Sequence, residues 1–506
     1  MKLRDGQMGT LVGALHKDHG SKELGHRMKV RDLATAIAGA SLLRGDPEAE
    51  ISTVVIDSRG AGPGALFCCV KGTLDDGHLH AASAVTAGAT AILTEHDVDI
   101  DGPNITEIRV RPGEGRLASA LASSIIAGRP ADHLTVVGVT GTNGKTTVVH
   151  LLGEVLSGLG YAAVTIGTLT GLRTTPSAPE LHRQFADALD LAQSVGRRGA
   201  VAMEVSSHAL DQQRVAGIVF DVAIFTNLSH DHLDYHGSME AYFEAKQRLF
   251  DDNSASLAVI WVEGVEGRRL ATSRKGATVE VDWSSVGDLT IDRFGSHFVW
   301  RGCSVSIGLI GRANVIDAVL AAEATLSLGH EVASIVEALE GTGPVPGRME
   351  IVPSAETDPL VIVDYAHTPD ALEGTLREAR GLVGQHGRVV VVFGCGGDRD
   401  AEKRPIMGQI ASTLADVVVI TTDNPRSERP AAIVEQILSG VAASGDVRIE
   451  EDRQSALAAG ISAAGPNDVV VIAGKGHETT QIIGERTVDF DDRSVAALIL
   501  AGERPC

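Results

Sequence analysis

Apolar residues in this chain come in short, nearly unbroken runs separated by amphipathic stretches and turn residues. Leu134 to Val137, Tyr161 to Ile166, Ala200 to Val205, Val222 to Asn227 and Ser256 to Trp261 are such runs, and each predicts a strand. Stretches between them, such as Val148 to Leu156, predict helices. Strands apolar on both faces and alternating with helices predict a parallel sheet covered on both sides. From Gly347 the pattern repeats. Leu360 to Asp364, Arg388 to Phe393, Val417 to Thr422 and Val469 to Ala473 predict a second, doubly wound sheet, with its ligand expected at the carboxyl ends of the strands. Nearer the start the runs are shorter. Ile51 to Ile56, Ala65 to Val70 and Ala89 to Leu93 read as strands and Ala81 to Ala87 as a helix, making a small α/β unit.

Gly128-Arg129-Pro130 and the pair Pro344 and Pro346 mark boundaries. The expected domains are residues 28–132, 133–345 and 346–506. A length of 506 residues also suggests about three domains. Residues 1–27 are polar, Gly/His-rich and unpatterned, and are read as a disordered extension. Met28-Lys29-Val30-Arg31-Asp32 echoes Met1-Lys2-Leu3-Arg4-Asp5, as a start codon assigned too early would produce.

The net charge of −22 counts against nucleic acid or an anionic membrane as a partner. An anionic substrate must then be held by local cations, helix termini or metal. The five cysteines, Cys68, Cys69, Cys303, Cys395 and Cys506, show neither a paired framework nor metal-ligand spacing, which fits a reducing cytoplasm. No apolar run reaches membrane-spanning length, and no signal peptide is visible, so no membrane insertion is expected.

The densest chemistry follows the run at Leu134. Gly138-Val139-Thr140-Gly141-Thr142-Asn143-Gly144-Lys145-Thr146-Thr147 lies between a strand and a helix, the setting a phosphate-binding loop requires. Its backbone N–H groups and the helix N-terminus suit phosphate oxygens. Lys145 is expected to reach the terminal phosphates and the Thr146 hydroxyl to ligate Mg²⁺. The usual first glycine of such a loop falls on Val139, yet a plain glycine-rich turn would not need that flanking order. Glu204 ends a strand beside the loop and is read as a second Mg²⁺ ligand rather than a solvated strand end.

Asn227 to His236 holds His230, Asp231, His232, Asp234 and His236. A zinc site is possible, but no Cys partner is near; Mg²⁺ or Mn²⁺ shared with phosphate is the preferred reading. Tyr242 to Phe250 predicts a helix with Tyr242, Lys246, Leu249 and Phe250 on one face. A lysine on that side either snorkels past the core or has a task inside it.

Together the phosphate loop, Met203-Glu204-Val205-Ser206-Ser207-His208-Ala209-Leu210, the histidine-rich stretch and Ala245-Lys246 resemble the Mur ligases of peptidoglycan synthesis. Asp364-Tyr365-Ala366-His367-Thr368-Pro369-Asp370, Gly394-Cys395-Gly396-Gly397-Asp398-Arg399-Asp400, Asp423-Asn424-Pro425-Arg426 and Gly474-Lys475-Gly476-His477-Glu478 are similar to the members that add the third residue of the stem peptide. The resemblance covers nearly everything after Met28. It implies a three-domain α/β fold: a small N-terminal α/β domain, a central P-loop ATP-binding parallel sheet and a C-terminal Rossmann-like domain.

It also implies the reaction. ATP would phosphorylate the D-glutamate carboxylate of UDP-N-acetylmuramoyl-L-alanyl-D-glutamate, and an amine would displace the phosphate. Two Mg²⁺ ions are expected, held by Thr146, Glu204, His232 and Lys246, the last as a CO₂-derived carbamate. Lys145, Lys246, His232 and Glu204 form the implied catalytic set. Gly141, Thr142, Asn143, Gly144, Lys145, Thr146, Thr147, Asn314 and Arg348 are the implied ATP contacts. On the UDP-substrate side stand Ser58 in Asp57-Ser58-Arg59, Thr73-Leu74-Asp75, Thr174, Thr175, Ser206, Gln212 and Arg214.

Asp423-Asn424-Pro425-Arg426 matches the members that add diaminopimelate. A diamino diacid has a second zwitterionic end; Arg426 can fork onto its carboxylate while Asp423 and Glu478 hold ammonium. Arg399 and Gly474 complete that set. The meso isomer is expected, although the residues do not separate it from the LL isomer. A ligase of the same fold using lysine, a folate-type glutamate ligase and a non-catalytic nucleotide-binding paralogue are the alternatives. A monomer is expected. The chain departs from the family's pattern at Arg173, at Thr480 and in Gly311-Arg312-Ala313-Asn314-Val315-Ile316-Asp317, where Ala313 replaces an aromatic and Asp317 an Asn near the adenine.

Overall fold

The computed structural model describes residues 27–503 apart from 73–74, 101–104, 172, 252, 356, 384–385 and 443–445. The expected extension therefore falls, all but Arg27, outside the described residues, as do Thr73, Leu74 and Cys506. Two compact units form: residues up to Pro130 with Ala178–Ala186, and Ala131–Ser177 with Asp187 onward.

In the first unit, β1 (Met28–Lys29) pairs antiparallel with β3 (Glu50–Ile51). Strands β2 (Ser41–Arg44), β4 (Thr53–Val55), β5 (Ala65–Cys68), β6 (Ala91–Thr94) and β7 (Thr106–Arg109) form a sheet of order β2-β7-β6-β5-β4, parallel except for β2 on β7. Alternation of side chains explains the unbroken apolar runs. Leu66 and Cys68 pack on one face with Leu33 and Ala118, while Phe67 and Cys69 pack on the other with Ala81 and Ala84.

The second unit holds two sheets of the doubly wound kind. Strands β8 (Thr135–Thr140), β9 (Ala162–Ile166), β10 (Gly199–Glu204), β11 (Phe220–Phe225), β12 (Ala255–Trp261) and β13 (Ala277–Val281) are all parallel in the order β13-β12-β11-β8-β10-β9. β8 is central, so the turn that follows it opens between the ends of β10 and β11. The helix Lys145–Gly158 buries Val148, Leu151, Leu152 and Val155 against Val315 and Val319 of the helix Arg312–Ser327.

Here the expected alternation breaks. β14 (Gly287–Asp292), β15 (Gly295–Trp300) and β16 (Cys303–Ile307) form an antiparallel sheet in that order. β14 alternates half-buried Leu289 and Ile291 with exposed Thr290 and Asp292, so it lacks the continuous apolar run of a central strand. Arg301 and Gly302 make the two-residue turn between β15 and β16, both left-handed at φ +48° and +79°.

The remaining sheet contains β17 (Glu350–Val352), β18 (Leu360–Asp364), β19 (Val389–Phe393), β20 (Val417–Ile420), β21 (Asp446–Ile449) and β22 (Val469–Ala473), ordered β17-β18-β22-β19-β20-β21. Only β17 runs antiparallel. Ile362, Val391 and Val471 face one core and Val363, Val392 and Ile472 the other. A hairpin, β23 (Thr480–Ile483) with β24 (Arg486–Asp489), follows β22.

Candidate active site

The loop after β8 is shaped by what surrounds it. Gly141 has φ +153°, and a Cβ there would lie 1.9 Å from Thr226 Oγ1. Gly144, at φ +86°, is the left-handed residue from which the helix Lys145–Gly158 starts. Thr226 and Asn227, just past β11, hold the loop by its backbone. Thr226 Oγ1 and Asn227 Nδ2 donate to Asn143 O at 2.5 and 3.2 Å, and Asn143 N donates to Asn227 Oδ1 at 2.9 Å. Thr142 N donates to Asn227 O at 2.9 Å. The helix N-terminus thus follows a turn fixed from the neighbouring strand, an arrangement that suits phosphate oxygens.

Both lysines expected from sequence converge on this loop. Lys145 Nζ donates to Gly141 O and Thr142 O at 2.9 and 2.8 Å, and Lys246 Nζ donates to Gly141 O at 2.7 Å. Lys246 is buried, with its amine 4.5 Å from the centre of the Tyr242 ring. Burial, then the nearby Lys145 charge, holds that amine well below the usual lysine range. Lys145 is lowered too, by burial, against the pull of Glu204 and Asp231.

The Thr146 hydroxyl donates to Glu204 Oε1 at 3.0 Å, the same oxygen that accepts from Thr168 N at 2.7 Å. Arg348 Nη2 reaches Thr146 Oγ1 at 3.2 Å while its guanidinium lies 4.5 Å from the centre of the Tyr365 ring. His232 takes a left-handed backbone at φ +54°, with Nε2 3.5 Å from Asp231 Oδ2 and its ring edge-on to His208 and Tyr242. Burial lowers its proton affinity. Asn314 donates to Ile310 O at 2.8 Å, and Thr147 is buried. Asp317 is buried behind Gly144, and burial raises its carboxyl well above the usual range despite a hydrogen bond from Thr147.

A second network brings together the five residues expected to meet the muramoyl peptide. Thr174 Oγ1 lies 3.2 Å from Thr168 Oγ1. Thr175 Oγ1 donates to Glu204 O at 2.9 Å and accepts from Ser206 N at 3.0 Å. Arg214 donates to Thr175 O and to Gln212 Oε1, and Gln212 Nε2 donates to the Tyr235 hydroxyl.

In the N-terminal unit, Ser58 opens the short turn Ser58–Gly60. Arg59 grips Asp57 there and holds its carboxyl down at about 2. Asp75 pairs with His80 at 2.6 Å. Among the described residues one grouping has metal-ligand spacing: Asp76, His78 and His96. His78 Nε2 accepts from Glu95 N at 3.1 Å, so Nδ1 carries the proton and donates to Asp76 Oδ1 at 2.7 Å. Neither nitrogen of the His78 ring is left for a metal. Cys68, Cys69, Cys303 and Cys395 are free thiols.

The residues expected to hold the amine gather at the carboxyl ends of β19, β20 and β22. Asp423 and Asn424 are buried; Arg426 is half-buried, with Nη1 donating to Gly397 O at 2.7 Å; Arg399 is exposed. Gly474 has φ +113°, and a Cβ there would come within 2.7 Å of Asp423 Oδ2. Asn424 Nδ2 donates to Glu478 Oε2 at 2.7 Å. Pro425 is buried and its carbonyl accepts from Glu428 N.

Sequence reading missed the loop clamp by Thr226, the ring of Tyr242 over Lys246, and Gln481, which donates to Asp423 O at 2.7 Å. Only Tyr242 carried a signal, through its helical spacing to Lys246.

Three domain families match the chain: "Mur ligase family, catalytic domain" over residues 50–136, "Mur ligase middle domain" over 139–325 and "Mur ligase, glutamate ligase domain" over 347–476. A UDP-N-acetylmuramoyl-L-alanyl-D-glutamate–2,6-diaminopimelate ligase of Synechococcus elongatus is 40% identical over 89% of this chain and 94% of its own length. One of Geobacillus thermodenitrificans is 39% identical over 93% and 98%. A solved structure of a ligase of that name superposes with a TM-score of 0.67 at 29% identity, over 94% of this chain and 99% of that one. A MurF ligase of Thermotoga maritima solved with ADP shares the fold, with a TM-score of 0.57 at 16% identity. By its domains, its relatives and its fold, the chain belongs to the Mur ligase family.

Proposed function

We propose that this chain uses ATP to join 2,6-diaminopimelate to the D-glutamyl carboxyl of UDP-N-acetylmuramoyl-L-alanyl-D-glutamate, in peptidoglycan precursor synthesis, working as a monomer in the cytoplasm. Relatives 39–40% identical carry that activity in their names. The observation that carries the reading is the gathering of Asp423, Asn424 and Arg426, on the loop after β20, with Glu478 from the loop after β22, where Asn424 bonds Glu478 and Arg426 bonds the Gly397 carbonyl. Carboxylates and a guanidinium carried by one cluster of loops suit the zwitterionic end of a diamino diacid, which simple amines lack.

Lys145 and the helix N-terminus would face the ATP phosphates and offset charge as the substrate carboxylate attacks the terminal phosphorus. ADP leaves and an acyl phosphate remains. The diaminopimelate amine then attacks the acyl carbon, phosphate departs and the amine loses a proton. Thr146 and Glu204 are adjacent hard oxygen donors of the kind Mg²⁺ prefers. Bound there, Mg²⁺ would neutralise phosphate charge. An amine is a poor ligand for a hard cation. A neutral Lys246 amine can add CO₂ and release a proton, giving a carbamate oxygen donor that would share a second ion with His232. Thr174, Thr175, Ser206, Gln212 and Arg214 would hold the muramoyl peptide.

The test is phosphate release from ATP with the UDP-dipeptide and a panel of amines. Release with diaminopimelate and not with lysine is expected. Release with lysine alone overturns the amine assignment, and none with any amine leaves a nucleotide-binding paralogue.

A further inference from the structure

The loop Asp423–Arg426 has one internal bond, Asn424 N to Asp423 Oδ1 at 2.6 Å, and is otherwise held by its neighbours. Arg426 has φ +49°, a left-handed backbone uncommon for a residue with a long side chain. Strand β23 supplies the grip. Arg426 N donates to Ile482 O at 3.1 Å, and Gly484 N donates to Arg426 O at 2.8 Å. Ile482 N donates to Asn424 Oδ1 at 2.9 Å. Between these, the buried side chain of Gln481 donates through Nε2 to Asp423 O at 2.7 Å and, more weakly, to Thr422 O at 3.5 Å.

The opposite wall is held by Lys475, whose side chain is wholly buried. Its Nζ donates to Thr480 O at 2.5 Å, to Glu478 Oε2 at 3.3 Å and to Asn424 Oδ1 at 3.5 Å. Glu478 Oε2 thus accepts from both Lys475 and Asn424, which fixes the direction of the carboxylate. Neither Gln481 nor Lys475 is among the residues assigned to the amine.

We propose that Gln481 and Lys475 are positioning residues for amine choice: Gln481 sets the backbone from which Arg426 projects, and Lys475 aims Glu478. This rests on the reading that Asp423–Arg426 and Glu478 receive the amine. The reason is geometric. A fork that must meet a carboxylate loses most of its advantage when displaced by about an ångström. A buried carbonyl deprived of its donor also drives the loop to rearrange toward water.

Four variants test it: Gln481→Met, which keeps shape and loses the donor; Gln481→Glu; Lys475→Met; and Lys475→Arg, which keeps charge. KM for diaminopimelate is expected to rise about tenfold or more in both Met variants. KM for ATP and for the UDP-dipeptide should stay within about twofold. The preference for diaminopimelate over lysine should narrow, and Lys475→Arg should recover part of the loss. Melting temperature, read alongside, separates positioning from bulk stability.

A folded Gln481→Met with wild-type KM for diaminopimelate overturns the role of Gln481, and the matching result for Lys475→Met overturns that of Lys475. An equal loss for all three substrates overturns both. If Lys475→Met does not fold, Lys475→Arg decides by the same split of constants, and if Gln481→Met does not fold, Gln481→Glu, which also lacks the amide donor, decides in the same way. A wild type that turns over only with another amine overturns the diaminopimelate reading instead, and the same variants assayed with that amine decide the positioning role.

Discussion

Lys145 and Lys246 share one acceptor: both amines donate to the carbonyl oxygen of Gly141, at 2.9 and 2.7 Å. Two ammonium groups that close repel, and burial penalises each charge further. Lys246 is fully buried, and that burial with the Lys145 charge holds it well below the lysine range, which favours its neutral form. A neutral amine is the form that adds CO₂. Lys246→Ala is expected to abolish ligation with little loss of melting temperature, and short carboxylates should restore part of the rate. Wild-type activity of that variant in CO₂-free buffer would rule the carbamate out.

Lys145→Ala removes an amine held on the Gly141 and Thr142 carbonyls of the turn. A loss of about 3–4 kcal/mol of transition-state stabilisation corresponds to a rate lower by roughly 10²–10³. Steady-state phosphate release measures it. An unchanged rate would make the loop a structural turn.

Arg426→Ala should raise KM for diaminopimelate and leave the constants for ATP and UDP-dipeptide nearly as they were. With lysine bound, an unpaired Arg426 carries a penalty of about 1–3 kcal/mol, so its removal should narrow the gap between the two amines. Arg426→Lys should restore only part of the function, because an ammonium cannot make the fork. Comparing kcat/KM for both amines decides; an unchanged preference places selectivity elsewhere.

His477 is pushed down to about 4 by burial, helped by the charges of Arg348 and Arg493. An unfolded histidine titrates near 6.5. Between those values the unfolded chain takes up a proton that the folded chain refuses. Stability from this group is therefore complete above pH 6.5 and is lost as the pH falls towards about 4. His477→Gln should flatten the acid limb of a melting-temperature profile over that window. An unaltered slope would show that another group governs it.

Asp317 works in the opposite sense. Burial raises its carboxyl well above 3.8, so the folded chain keeps a proton that the unfolded chain sheds. The stability it contributes is complete below pH 3.8 and is lost as the pH rises towards the folded value. Asp317→Asn keeps the shape behind Gly144 and removes the titration. Its melting temperature should exceed that of wild type at neutral pH, with the gain shrinking as the pH approaches 4. A constant difference across the range would assign the effect to packing instead.

Sequence reading reached furthest where chemistry depends on a fixed local order. Gly141 to Thr146 announces a tight turn between strand and helix, because strand, glycines and helix follow one another within a few residues. The apolar runs from Leu360 to Ala473 likewise announce buried strands, since both faces of each are covered. β14 to β16 escaped notice because one of their faces is polar, which leaves short, weak alternation. Gln481 escaped for another reason. Its partner, Asp423 O, lies 58 residues away and is a backbone atom, so no side-chain pattern records the pairing. The same holds for Thr226, whose partner is Asn143 O.

The clamp of Thr226 and Asn227 on the phosphate turn has a consequence for nucleotide affinity. Fixing the backbone of one residue costs about 1–2 kcal/mol in conformational entropy. In this protein Thr142 and Asn143 are fastened by the neighbouring strand, so that ordering is complete before any phosphate arrives. Binding free energy that a floppy loop would spend on folding around its ligand is free to appear as affinity. On the proposed reading Asn227, three residues ahead of the first histidine of its stretch, would raise nucleotide affinity by lowering the entropy of a turn 84 residues away.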